Sequence, residues 1–278
     1  SAREVMVNLT FWNVVRNNMG NSLQANYTPL WPVPFGWANL GEDFRDLNKK
    51  LVEDIETERS LISQTEWGSF ANNKHTWRSE DTLEHKYESF AQLLPSIKVI
   101  SEPIMHKSGL PTDVTAHVAN LWANVILSRS GYSFPHTHGI GDTLWSGVYY
   151  PQGVQDVENL DEFNIYDNFS HGIRDSGGTL ILRDGNLSKG LVQAETNQEH
   201  YAYDRNFSIT PRESLLVLFP AWLEHMVTPT QNDDKRYSIS FGIFRTPQGL
   251  GEFSAISRGW ATSDPNDNFN DEVTVEKE

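Results

Sequence analysis

Apolar positions recur at helical spacing early in the chain and at strand spacing later. Over GEDFRDLNKKLVEDIETERSLIS, Phe44, Leu47, Leu51, Val52 and Ile55 share one face, while Lys49, Lys50, Glu53, Asp54 and Glu56 lie largely on the other. This predicts an amphipathic helix laid on a core. A second helix is predicted over SEDTLEHKYESFAQLL, opened by Ser79 as N-cap and stopped at Pro95. From about residue 113 the period shortens. β-prone runs follow one another near 115–129, at LWSGVYY (144–150), GTLILRD (178–184), SLLVLFP (214–220) and RYSISFGIF (236–244). Turn signals at Gly139–Gly141, Asp184-Gly185, Thr210-Pro211 and Asn232–Asp234 separate them. Short strands with turns between, and no helical interval, predict an all-β sandwich or barrel.

Three regions result. Residues 1–112 read as a mixed, mainly helical part packed on the barrel, 113–250 as the β core, and 251–278 as an acidic tail with little to bury. The interval 151–177 reads as a long polar loop of the kind that lines a site mouth.

Charge and composition then remove whole classes of function. Net charge is −15, from 22 basic and 37 acidic residues, which disfavours nucleic-acid backbone and anionic membrane as partners. No cysteine is present, so thiol nucleophiles, Cys-ligated zinc, iron–sulfur clusters and disulfides are excluded. The opening SAREVMVNLTFW lacks the charged-then-apolar pattern of a secretory leader, and no run of about 18 apolar residues exists. The expectation is a soluble cytoplasmic protein, with homo-oligomerisation open.

What chemistry remains rests on a few side chains. In SFPHTHGIGDTLWSGVYYP, His136 and His138 project to one face if the segment is extended, and two imidazoles so placed are half of a metal site. They read equally as polar residues beside a glycine-rich turn. His225, in FPAWLEHMVTP, is either a core histidine or a third ligand. In KRYSISFGIF, Arg236 and Ser238 alternate with Tyr237 and Ile239. If their face is the barrel interior, a guanidinium lies buried beside a hydroxyl and needs an anionic partner, either a structural carboxylate or a ligand.

The order H-x-H, distant His, then Arg-x-Ser resembles that of the double-stranded β-helix oxygenases, in which non-haem Fe(II) is held by a facial set of three side chains. LWANVILSRSGYSFPHTH, LWSGVYYPQ, GGTLILRD and FPAWLEHMVTPTQNDDKRYSISFGIF are similar to successive blocks of the 2-oxoglutarate/Fe(II) oxygenase group known from marine phages and bacteria. YTPLWPVPFGWANLGEDFRDLNKKLVEDI resembles that group's entry segment, and the similarity spans about 25–247. The resemblance implies a mainly β, double-stranded β-helix (cupin-like jelly roll) with an N-terminal helical layer. It implies an Fe(II)- and 2-oxoglutarate-dependent dioxygenase that consumes O2, releases succinate and CO2, and oxidises, most simply hydroxylates, an unactivated C–H bond of a small molecule or peptide. His136, His138 and His225 take the iron-ligand positions. Arg236 and Ser238 take the 2-oxoglutarate carboxylate, with Tyr150 a further candidate for it and Asn124 a candidate for the cosubstrate's other end. Tyr149 points away from Tyr150 on a regular strand and reads as packing.

One departure stands out. The wider class has His-x-Asp or His-x-Glu where this chain has His138, leaving the site one charge more positive unless Asp142 folds back as the carboxylate. Two rival readings are kept. The first is a cupin-like metalloenzyme that does not use 2-oxoglutarate, with Asp142 in the acid's place. The second is a non-catalytic β-sandwich. Arg236-x-Ser238 separates the first, since a cupin has no need of it. His75, His85, His106, His117, His171 and His200 read as surface or structural, and Trp145 and Trp222 as core or pocket wall.

Overall fold

The computed structural model describes residues 14–16, 23–25, 33–61, 73–109, 111, 117–127, 129–138, 143–154, 158–171, 177–185, 205–231 and 234–245. Two compact units are present. In the first, Ser1–Pro34, strands β1 (Val14–Arg16) and β2 (Leu23–Ala25) pair antiparallel. The second, Phe35–Glu278, carries everything that follows.

Its two six-stranded sheets are antiparallel throughout. The larger comprises β3 (Gly36–Asn39), β5 (Thr76–Arg78), β6 (His117–Ile126), β8 (Thr143–Tyr150), β12 (Leu215–Pro220) and β14 (Arg236–Phe244), ordered β3-β12-β8-β14-β6-β5. The smaller comprises β4 (Asn73–Lys74), β7 (Tyr132–His136), β9 (Phe169–His171), β10 (Leu180–Arg183), β11 (Asn206–Ile209) and β13 (Glu224–Val227), ordered β4-β7-β13-β10-β11-β9. Consecutive core strands thus alternate between the sheets from β6 to β8, and again from β11 to β14. This is a double-stranded β-helix. The edge strands β3, β4 and β5 come from the segment before residue 112.

Strand alternation sorts the side chains of the larger sheet into two cores. Tyr149, Leu216, Leu218, Val125, Ile239 and Phe241 face outward onto helices α1 (Arg45–Leu61) and α2 (Glu88–Lys107), meeting Leu51, Ile55, Phe90, Leu93 and Ile97. Val148, Tyr150, Leu215, Val217 and Phe219 face inward and pack against Leu180, Leu182, Ile209 and Phe169 of the smaller sheet. Polar residues of α1 also find partners. The Asn48 amide donates to Ser214 Oγ at 2.8 Å and accepts from the Tyr149 hydroxyl. Glu56 accepts from Arg59, Lys235 and Tyr237 at 2.6, 3.0 and 2.9 Å, tying α1 to the start of β14.

Two sequence expectations need correction. The second helix neither begins at Ser79 nor stops at Pro95: α2 runs from Glu88 to Lys107 through both Pro95 and Pro103. The carbonyls these prolines leave unbonded belong to Ala91 and Val99, which are exposed, so water can take the missing donor's place. Ser79 instead serves the sheet: it is buried, and its hydroxyl accepts the Ala123 N–H at 2.9 Å. The interval 151–177 is not a plain loop either, since it holds helix α3 (Ile165–Asn168) and β9. The tail 251–278 lies outside the described residues. No helix among the described residues is long and apolar enough to cross a membrane.

Candidate metal and cosubstrate site

His136 ends β7 and is paired directly with His225 on β13, so both rings stand on one face of the smaller sheet. The register slips between His225 and Val227, which puts an extra residue on β7 in the stretch containing Pro135. Such a bulge re-aims the side chain beyond it. His138 lies past the strand rather than on it. Its place is set by its backbone N–H, which donates to the Ala221 carbonyl at 2.9 Å in the turn joining β12 to β13. The two histidines of H-x-H therefore converge through a strand end and a turn, not through simple alternation.

Ring centroids lie 4.3 Å apart for His136–His225, 4.9 Å for His138–His225 and 5.0 Å for His136–His138. One ligand atom from each lies within 4.8 Å of the others, so one ion could be held by all three. His136 Nδ1 is 2.7 Å from the Phe134 carbonyl, and His225 Nδ1 is 3.0 Å from the Leu223 carbonyl. A carbonyl only accepts, so both Nδ1 atoms carry the proton and both Nε2 atoms keep a lone pair. Burial holds all three imidazoles below their ordinary pKa. Burial and then the His136 ring bring His225 to about 3, and for His138 the other two rings and Arg78 add to burial. At neutral pH the three are uncharged lone-pair donors, the form a metal needs. Among the described residues no carboxylate joins the cluster, and Asp142 lies outside them.

Arg236 opens β14 and is 5% exposed. Its Nε donates to the Gly178 carbonyl at 2.8 Å, Nη1 to Ser238 Oγ at 3.2 Å and Nη2 to the Tyr150 hydroxyl at 3.4 Å. Among the described residues no carboxylate pairs with it, and burial lowers its pKa against the help of Tyr150. Gly178 is required here. Its φ is +67°, and a Cβ on it would meet Arg236 Cδ at 2.8 Å. Burial raises the Tyr150 pKa, opposed by Arg236. Tyr149 faces the helices, where burial raises the pKa of its hydroxyl.

Strand register places the two groups relative to each other. Paired residues on the inner face form rows across the larger sheet. One row runs Arg78–Asn124–Ser238, with Tyr150 one step beyond the Tyr149–Ile239 pair. The next is Trp122–Ser240–Val148–Val217, and the third Ala119–Gly242–Ser146–Phe219. The Trp122 ring is 5.6 Å from His138, and the Phe219 ring 4.9 Å from His225. The histidines thus stand over the second and third rows, with the guanidinium at the first. Rows are two residues apart, about 7 Å at 3.3–3.4 Å per residue. Asn124, in the first row, donates from Nδ2 to Ser240 Oγ at 3.2 Å.

Three residues at this site escaped the sequence. Trp122 walls His138, and Arg78 lies over the Trp122 ring at 4.9 Å while pairing with Asp81. Ser146 is a buried inward hydroxyl with no hydrogen-bond partner among the described residues. The alternation in HVANLWANVI puts Trp122 on the face of Asn124, a signal that was available; nothing in a three-residue strand, TWR, points to Arg78. Trp145 belongs to the outer core, whereas Trp222 is 59% exposed. His75 and His85 are exposed, and His106 and His117 half-buried. The His171 side chain and His200 lie outside the described residues.

Residues 120–242 match the family model described as "Putative 2OG-Fe(II) oxygenase". No curated protein sequence matches the chain. Among solved structures, the epimerase SnoN in complex with Fe3+, alpha ketoglutarate and nogalamycin RO superposes with a TM-score of 0.51 at 10% identity, over 85% of this chain and 87% of that one. Another structure of SnoN, from nogalamycin biosynthesis, gives 0.50 at 12% identity over 76% of each chain. A prolyl hydroxylase from Trichoplax adhaerens, in complex with a hypoxia inducible factor peptide fragment, gives 0.48 at 12% identity over 81% of this chain and 87% of that one. The likeness to SnoN is one of fold. The family match spans His136, His138, His225, Arg236, Ser238, Tyr150 and Asn124. Residues 120–242 of this chain are thus similar to the 2-oxoglutarate/Fe(II) oxygenases.

Proposed function

We propose that the chain is an Fe(II)- and 2-oxoglutarate-dependent dioxygenase that hydroxylates an unactivated C–H bond of a small molecule or peptide. His136, His138 and His225 would hold the iron, whose chemistry when bound is to activate O2 at the expense of 2-oxoglutarate, yielding succinate and CO2. The observation that carries the reading is Arg236. A buried guanidinium without a carboxylate is costly, and a ligand carboxylate is the natural partner for its planar fork. It stands one to two rows from the three histidines, and a five-carbon dicarboxylate, at about 1.5 Å per carbon–carbon bond, covers the nearer span. The Ser238 and Tyr150 hydroxyls, already bonded to the fork, would orient it and share the distal carboxylate. Asn124, held to Ser240, would face the cosubstrate from the neighbouring strand. Trp122, Phe219 and Val148 keep the space between apolar and exclude water.

The cupin-like alternative explains the histidines but leaves Arg236 buried without purpose. Anaerobic addition of Fe(II) and then 2-oxoglutarate to the full chain tests the proposal. A visible metal-to-ligand charge-transfer band is expected, and binding of Fe(II) with no band on adding 2-oxoglutarate would refute it.

A further inference from the structure

Ser146 is 3% exposed, faces the barrel interior from β8, and has no hydrogen-bond partner among the described residues. Its direction follows from register: β8 pairs with β12 without interruption from Trp145 to Tyr150, so Ser146 shares the inner face with Val148 and Tyr150. A buried hydroxyl left unsatisfied is unfavourable, and such groups are rare in folded proteins. Its two paired neighbours on the sheet offer it no side-chain partner. Across β12 is Phe219, whose ring touches His225, and across β14 is Gly242, which has no side chain and is overlain by the Phe244 ring. The hydroxyl thus sits in an apolar wall, in the row that reaches the histidines.

Arg236 fixes the direction in which a dicarboxylate would lie. With its distal carboxylate at the first row, a five-carbon chain reaches the second row with its oxo acid end and has no further carbon for the third. Of the inner-wall hydroxyls beyond the first row, Ser240 in the second is bonded to Asn124, and Ser146 in the third is the one left without a partner among the described residues. We infer that the Ser146 hydroxyl donates a hydrogen bond to the 2-oxo carboxylate of the cosubstrate, making Ser146 a positioning residue that sets how the oxo acid presents itself to the metal. This rests on the proposed use of 2-oxoglutarate and goes beyond it, by assigning an anchor at the opposite end from Arg236.

Two oxo acids separate the ends. 2-Oxoglutarate carries both carboxylates, and 2-oxobutanoate only the one beside the oxo group. Binding of each to the full-length, Mn(II)-loaded protein is measured by calorimetry for wild type, Ser146→Ala and Ser146→Thr, and the charge-transfer band is recorded anaerobically with Fe(II). Ser146→Ala is expected to weaken both acids equally, by about 10–100-fold for one bond to a charged group, and to shift the band. Ser146→Thr, which keeps the hydroxyl, is expected to restore most of both. Ligand-free Ser146→Ala should melt no lower than wild type, since the hydroxyl it removes has no partner there. Unchanged affinity in Ser146→Ala, or loss confined to 2-oxoglutarate, overturns the inference and leaves the function standing. Wild-type protein that binds Mn(II) but neither acid overturns the function itself.

Discussion

Replacing Arg236 with Met removes the guanidinium but keeps an unbranched stem of similar reach. Two opposed effects follow. In the ligand-free protein the substitution loses three bonds, to Gly178, Ser238 and Tyr150. At a net worth of about 0.5–1.5 kcal/mol each, they amount to about 2–4 kcal/mol. Against this, Arg236 is a buried cation with no carboxylate partner among the described residues, and removing an uncompensated buried charge returns several kcal/mol. The terms nearly cancel, so the ligand-free melting temperature should move by less than about 5 °C in either direction. Cosubstrate binding has no such cancellation. Two charge-assisted bonds to a distal carboxylate, at about 1.5–3 kcal/mol each less partial replacement by water, amount to about 3–4 kcal/mol, or roughly 100–1,000-fold in affinity. 2-Oxobutanoate, which lacks that carboxylate, should bind the variant and wild type alike. Calorimetry with both acids on Mn(II)-loaded protein, beside a thermal melt without them, reads all three quantities. The reasoning is refuted if 2-oxoglutarate binds the variant as tightly as wild type, or if both acids weaken equally. It is also refuted by a melting temperature lower by more than about 10 °C, which would mark Arg236 as half of a structural ion pair.

Other substitutions test neighbouring links. His225→Ala should weaken Co(II) binding by at least about 100-fold in a spectroscopic titration, since removing a ligand costs more than the 10–100-fold of losing a ligand's supporting partner. Gly178→Ala forces a Cβ onto a backbone at φ +67° and against Arg236, so 2-oxoglutarate affinity should fall while Co(II) affinity holds. Leu51→Ala, in the outer core at 0% exposure, should cost about 2–5 kcal/mol in urea unfolding and leave the charge-transfer band in place. Burial raises the Glu56 pKa, but bonds from Arg59, Lys235 and Tyr237 outweigh it and bring the group to about 2. A depressed carboxylate stabilises the fold above its unfolded pKa near 4.5, and this is lost as pH falls towards 2. Discounted for partial exposure, the loss is about 1–3 kcal/mol, and urea midpoints of Glu56→Gln should fall less steeply than wild type over that window.

The central strands of the larger sheet were legible because each side of the pattern had one physical meaning, whereas of the smaller sheet only β10 was among the predicted runs. RYSISFGIF alternates, is bounded by turns, and forms β14 at its anticipated ends; LWSGVYY and SLLVLFP lose at most one residue to their turns. Ser79 and Pro95 misled for a reason of context. A serine before an acidic stretch caps a helix only if its hydroxyl is free, and here a strand had claimed it. Proline is better tolerated inside a helix where the carbonyl it abandons can reach water, and Ala91 and Val99 are exposed. The site was legible as a set of residue types but not as a geometry. Register alone tells that Arg78 lies beside Asn124, or that Ser146 shares a row with Phe219, and register depends on pairings tens of residues apart. The bulge at Pro135 and the carbonyl of Ala221, which together bring His138 to His136, left no mark in H-x-H itself.

The third histidine acquires a reason when charge is counted over the whole pocket. Three neutral imidazoles and one buried guanidinium give the described site a charge of +1 before any metal. A divalent ion raises this to +3, and a dianionic oxo acid returns it to +1. With a carboxylate at position 138 the sequence would run 0, +2, 0. The pocket as built therefore gains more from the dianion than a carboxylate-bearing one would, and correspondingly less from the metal alone, because opposite charges in a site of low effective dielectric interact by several kcal/mol. Affinity moves from the ion to the ion–cosubstrate pair. His138→Asp inverts that balance: its Co(II) should bind more tightly in the absence of any oxo acid, and the factor by which 2-oxoglutarate tightens metal binding should shrink. An equal or larger factor in His138→Asp than in wild type would show that the charge of the ligand set does not govern how the two bind together.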